Sequence, residues 1–446
     1  MRLLALATLI LAGFAAPALA QSPYAGHWRG TLDVGSAQLR LDFVIEDTDG
    51  ALSGYMISVD QGNARIPASA VDVEDGVLVV DLAMAQAGYR GTLTDNGAID
   101  GRFSQAGQAF DLDLMPHTPQ DTPAPAADPR DQAFSVDANG VRLAGTLRRP
   151  QGVEHAPALY IISGSGPQDR DMTVGEHRIF VDLADALATQ GIASLRLDDR
   201  GVGESDAVIP DHPQEIADDA AAALNALRQA NGINDQCVGL IGHSEGGMLA
   251  FLAADAGQPD FILALAPMVS SMSDTLLEQA EAMIRAAGGS EAQIAAQRDI
   301  QMAVMTAMRE SPPGEAGPAI ESALIARGIP TGTAQQQGLI WGSNYAQNAL
   351  DLDPASAISG YDGPASFVFG ALDLQVVRAS SVARVESLRS SETTTIEVIE
   401  GANHLFQDAV TGQPGEYTSL PGGMSAQAGA AIAGHVSRMI SEACGN

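Results

Sequence analysis

Gly242-His243-Ser244-Glu245-Gly246-Gly247 decides the reading of this chain. It follows a short apolar run over 238–241 that reads as a strand, and it opens a small-residue stretch over 245–255 that reads as a helix. G-x-S-x-G in that setting is a sharp strand-to-helix turn that leaves a strained serine with its Oγ exposed. The glycines at 242 and 246 relieve crowding between strand and helix. A serine hydroxyl attacks only when a base takes its proton. In this architecture the acid, then the base, follow the serine along the chain. His404 and His435 are the histidines beyond Ser244. His404 stands in a loop just after a strand, in Glu400-Gly401-Ala402-Asn403-His404-Leu405-Phe406, and is the expected base. His435 lies inside the last helix among small and polar neighbours and reads as a surface residue. The acid belongs at the C-terminal end of a strand, where Phe367-Val368-Phe369-Gly370-Ala371-Leu372-Asp373 places Asp373. Asp274, after the preceding strand, is the rival. Asp351 and Asp353 stand before the strand, at its wrong end.

An oxyanion needs preorganised donors. The backbone N–H of Glu245, directly after the serine, is one. The other is expected from the loop 163–171 after the apolar strand 158–162, at the N–H of Ser165 with Gly164 next, because this loop lies beside the elbow in a doubly wound sheet.

Outward from the elbow, strands and helices alternate. Strands are expected at 141–147 (in a hairpin with 134–136), 158–162, 192–197, 238–241, 261–266, 365–369 and 395–399. Helices are expected at 177–190, 213–230, 245–255, 379–389 and 425–442. Such alternation predicts a largely parallel sheet covered by helices on both faces. Residues 267–363 interrupt it with helical stretches at 274–287, 291–309 and 319–327, too long a segment for a connector. It is expected to be a lid over the site, with a stabilising appendage as the alternative. Trp341, Tyr345, Met302, Met305 and Met308 are its candidates for a substrate pocket, the three methionines fitting core packing of the insert equally well.

Residues 21–116 read differently. Runs such as Leu39-Arg40-Leu41-Asp42-Phe43-Val44-Ile45 alternate with period two, punctuated by Asp-Gly and Asn-Gly, which predicts a small antiparallel, barrel-like β domain. His117 to Arg130 carries four prolines in fourteen residues and reads as an extended linker, so the second domain is expected over 131–446. Residues 1–20 combine an early Arg, an apolar core and Ala18-Leu19-Ala20, the pattern of a cleaved secretory signal. The mature chain is then expected to begin near Gln21, in the periplasm or outside the cell, with no stable membrane span.

Composition excludes whole classes of chemistry. The 23 basic residues are all Arg, so a Schiff-base lysine, a phosphate-loop lysine and a Ser–Lys dyad are out. A net charge of −32 argues against nucleic acid or an anionic membrane as partner. The histidines show no metal-ligand pairing, so neither metal nor cofactor is expected. Of the two cysteines, Cys237 falls in a core strand and Cys444 in the C-terminal tail. Export permits a bridge, but two separate buried thiols are the expectation.

Ser163–Asp171, Asp198-Asp199-Arg200-Gly201-Val202-Gly203-Glu204-Ser205, Gly242–Gly247, Gly370-Ala371-Leu372-Asp373-Leu374-Gln375-Val376 and Gly401-Ala402-Asn403-His404 together resemble the α/β-hydrolase superfamily. Within it they look like secreted bacterial serine esterases that carry an acidic residue after the nucleophile. The resemblance spans most of the C-terminal 310 residues. It implies hydrolysis of a small-molecule carboxylic ester through an acyl-enzyme on Ser244. The N-terminal β region is similar to the barrel-like domain that precedes some of these esterases. Two positions depart from the pattern: Ser163 stands where the family usually has His, and Asp199 where a basic residue is common. Arg170 and Arg200 are expected to be structural, Arg200 tying its loop through Asp198 or Asp169. A peptidase of the prolyl oligopeptidase type shares the triad and fold, but the N-terminal region is too short for its propeller. A binding module with an inert hydrolase half is the third reading, and an intact triad argues against it.

Overall fold

A computed structural model describes residues 22–33, 38–48, 50–59, 64–82, 87–105, 108–118 and 128–445. The expected signal over 1–20 and most of the expected linker lie outside the described residues.

The N-terminal strands are β1 (Gly26–Asp33), β2 (Gln38–Thr48), β3 (Ala51–Ser58), β4 (Ala64–Pro67), β5 (Ala70–Glu74), β6 (Val77–Leu82), β7 (Ala87–Leu93), β8 (Ile99–Gln105), β9 (Gln108–Asp111) and β10 (Met115–Pro116). They form two five-stranded antiparallel sheets, β10-β1-β2-β3-β4 and β5-β6-β7-β8-β9. Alternation supplies one shared core: Leu78, Val80 and Leu82 of β6 point inward with Trp28, Phe43, Tyr89 and Phe103.

The second half is one eight-stranded sheet in the order β11-β12-β16-β13-β17-β18-β19-β20. Its strands are β11 (Asp131–Ala138), β12 (Val141–Arg148), β13 (Ala156–Ile162), β16 (Ala193–Leu197), β17 (Ile233–His243), β18 (Ile262–Leu265), β19 (Ala365–Gly370) and β20 (Thr394–Ile399). The hairpin β11–β12 is antiparallel to its neighbours, and β16 through β20 run parallel. Continuous apolar runs make the inner strands because both faces are buried. On β13, Ala158, Tyr160 and Ile162 enter one core, with α2 (Pro213–Arg228) and α3 (Glu245–Leu252). Leu159 and Ile161 enter the other, with α1 (Ile179–Thr189) and α12 (Ala426–Ala443). The expected helix at 177–190 begins two residues later, because β15 (His177–Arg178) pairs with β14 (Thr173–Val174). Helix α2 starts where Glu215 reaches back to the His212 N–H at 3.2 Å and the His212 ring accepts from Gln214 N–H at 3.0 Å. After α3 come the short α4 (Ala254–Gly257) and, beyond the insert, α11 (Arg378–Leu388).

The insert after β18 is all helical: α5 (Met272–Ala286), α6 (Glu291–Glu310), α7 (Gly317–Ile325), α8 (Thr331–Trp341), α9 (Asn344–Leu350) and α10 (Ala355–Gly360). Met305 and Met308 lie in its own core with Ile320 and Leu324, and Met302 faces outward. Of the two readings open for the three methionines, core packing holds for Met305 and Met308 and pocket lining for none. No helix of the described residues is long and apolar enough to cross a membrane.

Cys237 and Cys444 form a disulfide across 207 residues of sequence, with Cα atoms 5.6 Å apart. The expectation of two separate thiols is corrected here. Cys237 points to the sheet face that α12 covers, and Cys444 is the C-cap of that helix rather than part of a free tail. Breaking the bridge by Cys444→Ser is expected to lower stability by about 2–5 kcal/mol. Urea unfolding with and without reductant checks this: reductant should shift the wild-type midpoint and leave that of the variant unmoved.

Candidate active site

Ser244 sits between β17 and α3 with φ 57° and ψ −118°, a left-handed backbone that few non-glycine residues tolerate. The surroundings hold it there. Its N–H donates to Leu265 O at 2.9 Å, and its carbonyl accepts from Gly247 and Met268 N–H, both at 3.0 Å. The flanking glycines are required by close approach. A Cβ on Gly242 would lie 2.0 Å from Gly246 O, and one on Gly246 would lie 2.2 Å from Ser163 O.

His404 and Asp373 are both buried, and His404 Nδ1 meets Asp373 Oδ2 at 2.8 Å. Asp373 Oδ1 accepts from Gln375 and Val376 N–H at 2.8 and 3.0 Å, so the turn after β19 fixes the carboxylate. A carboxylate at Nδ1 keeps the proton on that nitrogen and leaves Nε2 as the acceptor of a neutral ring. The rivals are committed elsewhere. Asp274 accepts from Ser271 Oγ at 2.8 Å. Asp351 pairs with Arg309, and Asp353 with Arg384. His435 is buried against Glu397, not a surface residue, because its helix packs over the sheet.

His243 is a functional-site residue that the sequence reading passed over. Its Nε2–H donates to His404 O at 2.8 Å, and its ring lies 4.7 Å from that of His404. Burial, with His404 beside it, pushes its pKa down to about 3, so it stays neutral. Its position inside the G-x-S-x-G run was the available signal.

Ser244, Glu245, His404, Gly164 and Ser165 line one cavity of about 730 Å³. The walls are mostly apolar and come from the sheet loops (Met172, Val376, Leu405), from α3 (Leu249) and from the insert (Met272, Leu276, Trp341, Tyr345). The insert therefore roofs the site. Gly164 is packed tightly there, since a Cβ on it would lie 3.2 Å from Ser244 Cβ. Glu245 opens α3, so its N–H has no intrahelical partner. Its side chain is almost fully buried and accepts from Tyr345 Oη at 2.7 Å. Burial raises its pKa.

The two departures from the family pattern, Ser163 after β13 and Asp199 after β16, meet at adjacent strand ends. Ser163 Oγ donates to Asp199, at 2.9 Å from each carboxylate oxygen, and Gln168 N–H donates to Oδ2 at 2.9 Å. Burial pushes the Asp199 pKa up to about 7, with Asp198 and Asp219 adding to the rise. Arg170 is structural as expected, binding Asp198 through Nε at 3.0 Å. Arg200 is also structural, but its partner is Asp219 of α2, held at 2.6 Å by two nitrogens, and not Asp198 or Asp169.

Residues 174–407 match the Hydrolase_4 family, described as serine aminopeptidase, S33. That is more than half of the chain, and the chain belongs to this family and has the α/β-hydrolase fold. It is similar to the esterase EstD of Thermotoga maritima, 26% identical over 272 residues, which covers 61% of this chain and 59% of the relative. It is also similar to solved structures. Est1E from Butyrivibrio proteoclasticus is 18% identical, with 70% of this chain and 99% of that one covered and a TM-score of 0.42. A thermophilic esterase from Thermogutta terrifontis is 15% identical, covering 69% and 99% at a TM-score of 0.40.

Asp199 has a measurable consequence for stability. Its pKa is higher folded, at about 7, than the ordinary 3.8, so ionising it opposes folding. The cost is absent below the ordinary value, grows as pH rises toward 7 and is complete above it. Asp199→Asn mimics the neutral form. Its Tm relative to wild type is therefore expected to climb between pH 5 and pH 8 in thermal melts. A difference that stays flat across that range would show that Asp199 ionises as readily as an exposed carboxyl.

Proposed function

We propose that this protein hydrolyses carboxylic esters of small or short-chain acyl groups through an acyl-enzyme on Ser244. The observation that carries the reading is His404, which lines the same cavity as the strained Ser244 and is backed by the buried Asp373 carboxyl at 2.8 Å. In this scheme His404 Nε2 takes the Ser244 proton as Oγ attacks the ester carbonyl. Asp373 holds the ring and stabilises the imidazolium. The N–H groups of Glu245 and of Ser165 or Gly164 receive the oxyanion. His404 then returns the proton to the leaving alcohol, and water releases the acyl group by the reverse sequence. The similarity to EstD, an esterase, supports ester over amide cleavage. The family's description as a serine aminopeptidase keeps amide hydrolysis as the competing reading.

A panel of p-nitrophenyl acetate, aminoacyl anilides and a fluorophosphonate label tests both. Ester turnover well above anilide turnover is expected. Ser244→Ala should abolish labelling and lower kcat by roughly 10³-fold or more, and Asp373→Asn should lower it by roughly 10³–10⁴-fold. Retained labelling in Ser244→Ala would remove Ser244 from its role. A silent Asp373→Asn would remove Asp373.

We also infer that the chain is exported. The pattern over 1–20 supports it, and so does the Cys237–Cys444 disulfide, since such bonds persist in oxidising compartments. Mass spectrometry of the expressed protein is expected to find an N-terminus near Gln21, and a retained Met1 would overturn the inference.

A further inference from the structure

The loop 163–168 between β13 and the next turn carries the expected oxyanion donors, yet it is short of covalent or strand-ladder restraint. Side chains supply the restraint. Asp199 binds both of its ends, through Ser163 Oγ and Gln168 N–H, each at 2.9 Å. The same residue's own N–H donates back to Gln168 O at 3.1 Å. Glu245 stands at the middle of the loop, its carboxyl beside Ser165 and accepting from Tyr345 Oη at 2.7 Å. Neither carboxyl is paired with an arginine. Arg200, next in sequence to Asp199, is turned away onto Asp219, and Arg170 onto Asp198. Each carboxyl is thus left to gather neutral donors, Asp199 from the loop and Glu245 from the insert.

We propose that Asp199 and Glu245 are positioning residues whose side chains hold the loop 163–168 in register with Ser244, so that its N–H groups meet the oxyanion. The proposal rests on the esterase reading above. Glu245 has two parts in it: its backbone N–H faces the oxyanion, and its carboxyl, set against Ser165 of the opposite donor loop, is anchored to α9 of the insert through Tyr345. The departure at Ser163 fits this arrangement, because a short hydroxyl is what reaches the Asp199 carboxylate. Tyr345 makes the roof of the cavity part of the same bracing.

Loosening the loop should cost transition-state binding and leave ground-state binding nearly alone. Asp199→Ala and Glu245→Ala are expected to lower kcat for p-nitrophenyl acetate by roughly 10–100-fold, less than the outright loss of an oxyanion donor, with little change in KM. An alkyl trifluoromethyl ketone adds the serine oxygen to its carbonyl and leaves an oxyanion in the same hole. Its affinity should fall by the same factor as kcat. Asp199→Asn and Glu245→Gln keep an acceptor in place and should restore most of the activity. Ser163→Ala and Tyr345→Phe remove the donors instead of the acceptors and serve if the alanine variants do not fold; both should lower kcat and inhibitor affinity together. Folded variants that retain wild-type kcat and ketone affinity would overturn the proposal, as would a loss confined to KM. A wild type that is not labelled by fluorophosphonate would overturn the Ser244 reading itself, a result distinct from labelled variants with unchanged kinetics.

Discussion

The backbone of Gly246 lies against the carbonyl of Ser163 so closely that a single Cβ would reach 2.2 Å from the oxygen. Much else in the site follows from that contact. It brings α3 down onto the end of β13, sets the donor loop beside the elbow and turns the chain so sharply that Ser244 must take φ 57°. A residue in that region costs of order 1–3 kcal/mol and persists only where its surroundings over-determine it. Here the two hydrogen bonds to its carbonyl and the one from its N–H do so. The strain is thus offset by backbone hydrogen bonds at the elbow itself, and the hydroxyl's place in the cavity is a consequence of the backbone path.

The local part of this was readable in the sequence. Apolar runs gave the inner strands, since β13 and β17 to β19 are buried on both faces and need no alternation. The G-x-S-x-G run, the acid after β19 and the base after β20 are each fixed by a few neighbouring residues. What could not be read depends on contacts far apart in the chain. Helix α8 carries Thr331, Thr333, Gly332 and Gly338, poor helix formers. It is stable because Gly338 and Gly317 let α7 and α8 approach until a Cβ on either would lie 2.8–3.1 Å from the other's carbonyl oxygen. Helices α9 and α10 are shorter than any periodicity test resolves. The partner of Arg200, the burial of His435 and the joining of Cys237 to Cys444 were hidden for the same reason. Each is decided by how α2 or α12 lies on the sheet.

The absence of lysine has a structural counterpart. Every interior cation here is a guanidinium, which meets carboxylates in a planar fork. Arg148 illustrates it: it is buried, binds Asp131 through two nitrogens at 2.7 and 2.8 Å, and reaches Asp185 at 2.7 Å with a third. Arg196, also buried, joins Asp171. These pairs run from the start of the second domain along β12 and β16 to the residues just beyond the donor loop. An acidic chain thereby uses its few cations where carboxylates would otherwise repel one another inside the protein.

Asp199 and Glu245 are the exceptions that give this pattern its meaning at the cavity. Each has a raised pKa because burial disfavours its charge and no guanidinium offsets the cost. An arginine on Asp199 would neutralise that penalty, but it would also occupy the lone pairs that now take Ser163 Oγ and Gln168 N–H. The neighbouring cations are instead drawn off by Asp198 and Asp219, which leaves the Asp199 carboxyl free to organise the loop. Stability is lowered at a point where geometry is gained, the usual balance in an active site. The insert joins the same balance through Tyr345, whose hydroxyl is itself held neutral by burial and by the Glu245 carboxyl beside it. A change in the roof of the cavity therefore reaches the backbone around Ser244 through one hydrogen bond, without any change in the sheet.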